Sequence, residues 1–190
     1  MSLPNIIAVT APSRRSGKGT VADVLISRFG YTKFQYALSL KTAFVALCMA
    51  QGIEQDRITR MLDGDLKEAP QAEIGGLSLR TFCEGVGTDW GRKMVSEDLW
   101  VNMAYTKIVK LLDSGHRVVV EDARFVNECD LVRELGGKVV RVVRPVWNGG
   151  LKPTLSSEGH LENYPTDAIF ANDSTIARLQ EYVFDWAVSQ

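Results

Sequence analysis

The sequence is poor in the features that mark several protein classes. It has three cysteines, Cys48, Cys83 and Cys129, which are far apart and form no CxxC pair. An odd, scattered set argues against a disulfide framework or a zinc site and fits reduced thiols in a cytoplasm. The two histidines, His116 and His160, have no partners at catalytic or metal-ligand spacing and receive no role. Charge of neither sign is in excess, since 22 basic and 23 acidic residues leave a net charge of -1. A broad basic face for nucleic acid is therefore not expected. No apolar run approaches the roughly 18 residues of a membrane span. The first 17 residues lack the basic end, apolar stretch and cleavage site of a signal peptide. The expected molecule is cytoplasmic, a monomer or homodimer, with no nucleic-acid or membrane partner.

What is present is an ordinary globular composition, 45% hydrophobic and 24% charged over 190 residues. That is enough for a single domain to bury a full core. Short apolar runs at 5–10, 31–36, 117–122, 138–144 and 167–171 read as strands. The stretches 21–29, 39–51, 56–62, 77–86, 98–113, 127–135 and 175–188 carry apolar residues at helical spacing. Residues 63–76 and 147–164 read as loops, and Asn172-Asp173-Ser174 as a turn with a helix cap. Strands alternating with helices predict an α/β fold, a parallel sheet covered on both faces.

The sharpest local feature is Ser16-Gly17-Lys18-Gly19-Thr20, set between a buried strand and a helix. That is the context of a phosphate-binding P-loop. Successive backbone N–H groups and a helix N-terminus make an anion hole. Gly17 and Gly19 allow close approach, Lys18 reaches the β- and γ-phosphates, and Thr20 offers a hydroxyl to phosphate or Mg²⁺. Pro12 stands where the usual pattern has its first glycine, and Gly-Lys-Gly-Thr resembles the adenylate-kinase form of the loop. Arg14, Arg15 and Ser16 belong to the same loop, with Arg14 and Ser16 expected at the nucleotide. A P-loop protein also needs a carboxylate near Mg²⁺ at the end of a neighbouring strand. Asp122 is the favoured candidate and Glu121 the second. Two residues on, Arg124 offers a bidentate guanidinium for the charge that phosphoryl transfer develops.

At this point the residues resemble a family. Asp122-Ala123-Arg124-Phe125-Val126-Asn127-Glu128 resembles the D-x-R-F-x-N-E signature of the bacteriophage deoxynucleoside monophosphate kinases. Other pieces fall in that family's order: Ser16 to Ala22, Leu40-Lys41, Arg80, Gly87-Thr88 with Gly91-Arg92, Asp98-Leu99-Trp100, Glu134 to Gly137, Arg141 to Pro145, Ser157-Glu158 and Asn172-Asp173. The resemblance spans about residues 5 to 180.

It implies a three-layer P-loop NTPase fold of the nucleoside-monophosphate-kinase type with about five parallel strands. The core would be about 1–37 and 115–190, a helical monophosphate-binding part about 38–114, and a short lid about 145–164. The implied reaction is ATP-dependent phosphorylation of a deoxynucleoside monophosphate, with ATP and Mg²⁺ as cofactors and a small nucleotide as the partner. Arg80, Arg92 and Arg124 are implied to hold the acceptor's phosphate and the transition state, and Lys18 and Asp122 to act beside them. Lys41 is a further acceptor contact, and Trp90 or Trp100 would line the base pocket. Arg144 is expected near ATP, as is Asn172, which follows the strand where this fold offers backbone to adenine. Lys67 fits a solvated face better than a site. A kinase of dephospho-coenzyme A, gluconate or shikimate shares the P-loop and Asp122, but the arginine set favours a nucleotide. A switch GTPase would need a guanine-reading Asn-Lys-x-Asp element, and none is present.

Overall fold

The run Ile6–Thr10 forms strand β1 and is buried at every position. Ile6 and Ala8 enter one apolar cluster, Ile7 and Val9 another. Side chains alternate across a strand, so burial on both sides means that both faces of β1 are covered. The computed structural model describes residues 3–12, 15–145 and 161–190. The chain falls into two compact units, Met1–Tyr36 with Val101–Gln190, and Ala37–Trp100.

The first unit is built on a five-stranded sheet. Its other strands are β2 (Tyr31–Phe34), β3 (Arg117–Val120), β4 (Lys138–Val143) and β5 (Ala168–Ala171). The order is β2-β3-β1-β4-β5, and every pairing is parallel. Helices α1 (Lys18–Phe29) and α7 (Ile176–Val188) bury Val21, Ala22, Leu25, Leu179 and Val183 on one face. Helices α5 (Leu99–Asp113) and α6 (Val126–Glu134) bury Ala104, Ile108, Cys129 and Val132 on the other. Each buried Val, Leu or Ile side chain among these is worth about 1.5–3 kcal/mol of transfer free energy. This three-layer arrangement puts β1 at the centre and brings the carboxyl ends of all five strands to one edge, where ligands bind in open α/β sheets.

The second unit is helical. It contains α2 (Leu38–Ala50), α3 (Gln55–Asp63), a 3₁₀ turn at Ala72–Ile74, α4 (Leu79–Glu84) and a π-helical segment, Gly85–Val95. It has its own apolar cluster of Phe44, Cys48, Ile58, Met61, Ile74 and Leu79, with Phe82 edge-on to Phe44 at 5.4 Å.

Several expected boundaries shift. β2 ends at Phe34 rather than 36, and β3 ends at Val120, so Glu121 and Asp122 lie just past the strand. The cap of α7 is Thr175, whose hydroxyl accepts from Arg178 N at 3.2 Å, and not the Asn172 turn. The helix expected over 77–86 starts at Leu79 and does not stop at 86. It continues as a wide π-helical turn whose i+5 bonding runs to Ser96 N→Gly91 O at 2.9 Å. The physical reason is Trp100. Its indole N–H donates to Gly87 O at 2.7 Å, and a Cβ on Gly91 would lie 2.6 Å from that nitrogen. The bare glycine backbone accepts the ring, and the turn widens around it.

Candidate active site

The proposed phosphate loop joins β1 to α1. Gly17 is the N-cap of α1 at φ 105°, in the left-handed region that favours glycine. A glycine cap has no side chain to fold back on the first-turn N–H groups, and that turn carries no acidic residue. The positive end of a helix dipole with such a cap is the kind of place where anions bind. Lys18, Gly19 and Thr20 form that first turn. Ser16 is buried, and Arg15 is exposed with φ 54°. Arg14 lies outside the described residues.

The acidic pair after β3 divides its work. The Glu121 carboxylate lies against the first turn of α1: a Cβ on Gly19 would be 3.6 Å from Glu121 Oε1. It also pairs with Lys33 and accepts from Gln35 Nε2 at 3.1 Å. The Asp122 carboxylate accepts the Tyr36 N–H at 2.8 Å, tying the end of β2 to the end of β3. From the sequence alone Asp122 is the favoured carboxylate. The structure places Glu121 beside Gly19 and gives Asp122 a bracing bond.

The loop that presents Arg124 is fixed by the last residue of the D-x-R-F-x-N-E run, to which the sequence alone assigns no role. Glu128 is buried, and its Oε2 accepts from Arg124 N at 2.7 Å and from Phe125 N at 3.3 Å. Tyr36 Oη donates to Glu128 O at 3.0 Å. The backbone is thereby held while the Arg124 residue stays exposed. The signal was available: a glutamate three residues after a helix cap is the spacing that closes orphan N–H groups.

Two further expected residues meet the loop. Asn172 Nδ2 donates to Ser16 O at 2.9 Å, and Arg144 Nη1 to Arg15 O at 3.3 Å. The structure therefore gathers Ser16, Gly17, Lys18, Gly19, Thr20, Glu121, Arg144 and Asn172 at one end of the sheet. Of the expected lid, 146–160 lies outside the described residues, together with Ser157, Glu158 and His160. Just after it, Arg141 gathers three backbone carbonyls, donating to Leu161 O at 2.5 Å, Glu162 O at 2.8 Å and Tyr164 O at 2.6 Å. Tyr164 donates to Asp130 Oδ1 at 2.7 Å, and burial with that carboxylate pushes its phenol up to about 12.

The helical unit holds the other candidates. Arg80 grips Glu68 through two donors, one at 2.6 Å from Nη2. Arg92 is buried and donates to Glu97 O at 2.8 Å. Lys41 stands 3.9 Å from Asp63. Trp90 is 48% exposed, so its ring is available to a ligand. Trp100 is half-buried, and its indole N–H donates to Gly87 O at 2.7 Å, in the π-helical backbone. Lys67 is also 3.9 Å from Asp63, on the unit's solvated surface.

A Mg²⁺ ion takes oxygen ligands, usually one or two carboxylates together with substrate phosphates. Thr20, Glu121 and Asp122 are donors of that kind, and the closeness of Glu121 to Gly19 satisfies the requirement that a carboxylate reach the first turn of α1.

Comparison with known proteins agrees with this chemistry. The deoxynucleotide monophosphate kinase family matches residues 65–183. A protein of Acanthamoeba polyphaga mimivirus, provisionally named a deoxynucleotide monophosphate kinase, is 30% identical over 172 residues and covers 85% of each chain. Among solved structures, a dephospho-CoA kinase from Campylobacter jejuni superposes with a TM-score of 0.51 at 15% identity, over 98% of this chain and 97% of its own. A gluconokinase from Sinorhizobium meliloti 1021 gives 0.51 at 15% identity, over 100% and 94%. The structures share the three-layer P-loop NTPase fold, and the sequence relatives fix the lineage: the chain belongs to the deoxynucleotide monophosphate kinase family and is a phosphotransferase.

Proposed function

We propose that this chain moves the γ-phosphoryl group of ATP onto a deoxynucleoside monophosphate, releasing ADP and the diphosphate. The observation that carries the ATP assignment is the start of α1. Its glycine cap and acid-free first turn, with Lys18 in first place and Glu121 alongside, form a site for a polyanion that brings its own cation.

In this reading an oxygen of the acceptor's phosphate attacks the γ-phosphorus of ATP, and the bridging β–γ bond breaks toward ADP. No covalent enzyme intermediate is required, because positioning and charge neutralisation supply most of the acceleration. The loop N–H groups and Lys18 hold the β- and γ-phosphates. Thr20, Glu121 and Asp122 hold Mg²⁺, which neutralises phosphate charge when bound. Arg124, on the loop braced by Glu128, neutralises the charge that grows on the transferred group. Within the helical unit, Arg80, Arg92 and Lys41 are assigned to the acceptor's phosphate and Trp90 to its base. Arg144, beside the loop, is assigned to the ATP side of the site. The cytoplasm, where ATP and reduced thiols coexist, is the proposed location of a monomer or homodimer.

The test is ATP-dependent ADP release with a panel of deoxy- and ribonucleoside monophosphates, with Lys18→Ala as control. Turnover with one or more deoxynucleotides is expected, with a loss of about 10²–10³-fold or more in kcat for the variant. A folded, ATP-binding protein that is silent on every nucleotide sinks the acceptor assignment.

A further inference from the structure

The phosphate loop is held from behind, by its carbonyls. Asn172 Nδ2 donates to Ser16 O at 2.9 Å, and Arg144 Nη1 donates to Arg15 O at 3.3 Å. These two donors stand at matching places in the fold. Arg144 is the first residue past β4, and Asn172 is the first past β5. Asn172 N also bonds Val143 O at 2.8 Å, so both residues are seated on the same pair of neighbouring strands.

A trans peptide is planar, and its C=O and N–H point in opposite directions. A side chain that draws Arg15 O toward itself therefore turns Ser16 N–H the other way. Asn172 does the same to the next peptide, fixing Ser16 O and with it Gly17 N–H. Two consecutive N–H groups are aimed by two side chains that themselves stay on the far side of the chain. The support is needed. Arg15 is the one non-glycine residue at positive φ among those described, and such a conformation costs about 1–3 kcal/mol unless its surroundings hold it. The fit is also close, because a Cβ on Gly17 would lie 2.7 Å from Asn172 Nδ2. A role for Asn172 as a helix cap is excluded by Thr175, which caps α7 itself.

We propose that Asn172 and Arg144 are positioning residues for the nucleotide triphosphate: they act through the loop's carbonyls, setting the direction of the Ser16 and Gly17 N–H groups before ATP arrives. This rests on the assignment of the loop to ATP.

The test measures three quantities for wild type, Asn172→Ala, Asn172→Asp, Arg144→Ala and Arg144→Lys: ATP affinity, deoxynucleoside monophosphate affinity and melting temperature. Asn172→Ala is expected to weaken ATP about fivefold to tenfold, the worth of one hydrogen bond. Acceptor affinity should stay within about twofold, since the acceptor does not use these N–H groups. Asn172→Asp, the same size but without the donor, should weaken ATP at least as much. Arg144→Ala should act in the same direction, and Arg144→Lys, which keeps a donor, should recover part of the loss. An Asn172→Ala protein with wild-type ATP affinity overturns the proposal. So does a parallel fall in both affinities and in melting temperature, which marks a general structural role. A wild-type protein that fails to bind ATP overturns the ATP assignment itself, and that failure shows in the wild-type arm alone.

Discussion

Helices α1 and α4 begin in opposite ways. At α4 the Ser78 hydroxyl accepts from Thr81 N at 3.2 Å, and Thr81 Oγ1 accepts from Ser78 N at 2.9 Å, so the helix start is closed by its own residues. At α1 the cap is Gly17, which offers no side chain, and the first turn itself carries no acidic residue. One N-terminus is capped by its own side chains, and the other is the one assigned above to a ligand's phosphates. With glycine as the cap this costs the fold only about a few tenths of a kcal/mol relative to Ser or Asp. The same contrast runs through the two units. The candidates around the loop converge on one end of the sheet, whereas Arg80 and Arg92 of the helical unit are engaged with Glu68 and Glu97 of that unit.

The strongest way to break this contrast is to fill the open helix start. Gly17→Ala forces a Cβ into the left-handed region and toward Asn172 and Leu179, at 2.7 and 3.0 Å. Strain and overpacking together predict a loss of about 2–5 kcal/mol in stability, visible in denaturant melts, with ATP affinity falling more than tenfold.

Next comes Glu128→Ala, which leaves the Arg124 and Phe125 N–H groups without their buried acceptor. It is expected to destabilise by about 1–3 kcal/mol and to lower kcat while leaving ATP affinity unchanged, since the loop around residue 17 is not touched. Ser78→Ala opens the closed start of α4. Its cost should be about 1 kcal/mol in a chemical melt, with no change in the KM for ATP.

The smallest effect at neutral pH concerns acids of the sheet unit. Burial pushes Tyr31, Cys129 and Tyr164 up to about 12. Each is raised on folding, so the folded state favours the protonated form. That contribution is whole below the ordinary values, 9.0 for the thiol and 10.0 for the phenols, and is lost as pH climbs toward about 12. Stability should be insensitive to these groups near pH 7 and fall above about pH 9. Tyr164→Phe should flatten part of that decline in a pH series of melts.

Much of the sheet was legible because its signal is local. Ile6 to Thr10 and Val118 to Val120 are continuous apolar runs, and a strand buried on both faces reads that way. The phosphate loop was legible for the same reason, since strand, glycines, lysine and helix are contiguous. The bracing was not. Tyr36 meets Asp122 across 86 positions, and Asn172 meets Ser16 across 156, distances over which no periodicity speaks. The π-helical segment escaped because its width depends on Trp100 packing against bare glycine backbone, and a search at 3.6-residue spacing finds only its flanks.

The distance from Ser16 to Asn172 also bears on how the protein is made. Synthesis runs from the N-terminus, so the loop sequence leaves the ribosome well before the donor that holds Ser16 O, which lies just past the last strand of the sheet. A nascent chain that ends before β5 carries the whole loop motif without the asparagine that aims it. On the proposed assignment, full grip on a triphosphate is acquired only when the C-terminal strand and α7 dock, and nucleotide binding would mark completion of the sheet unit.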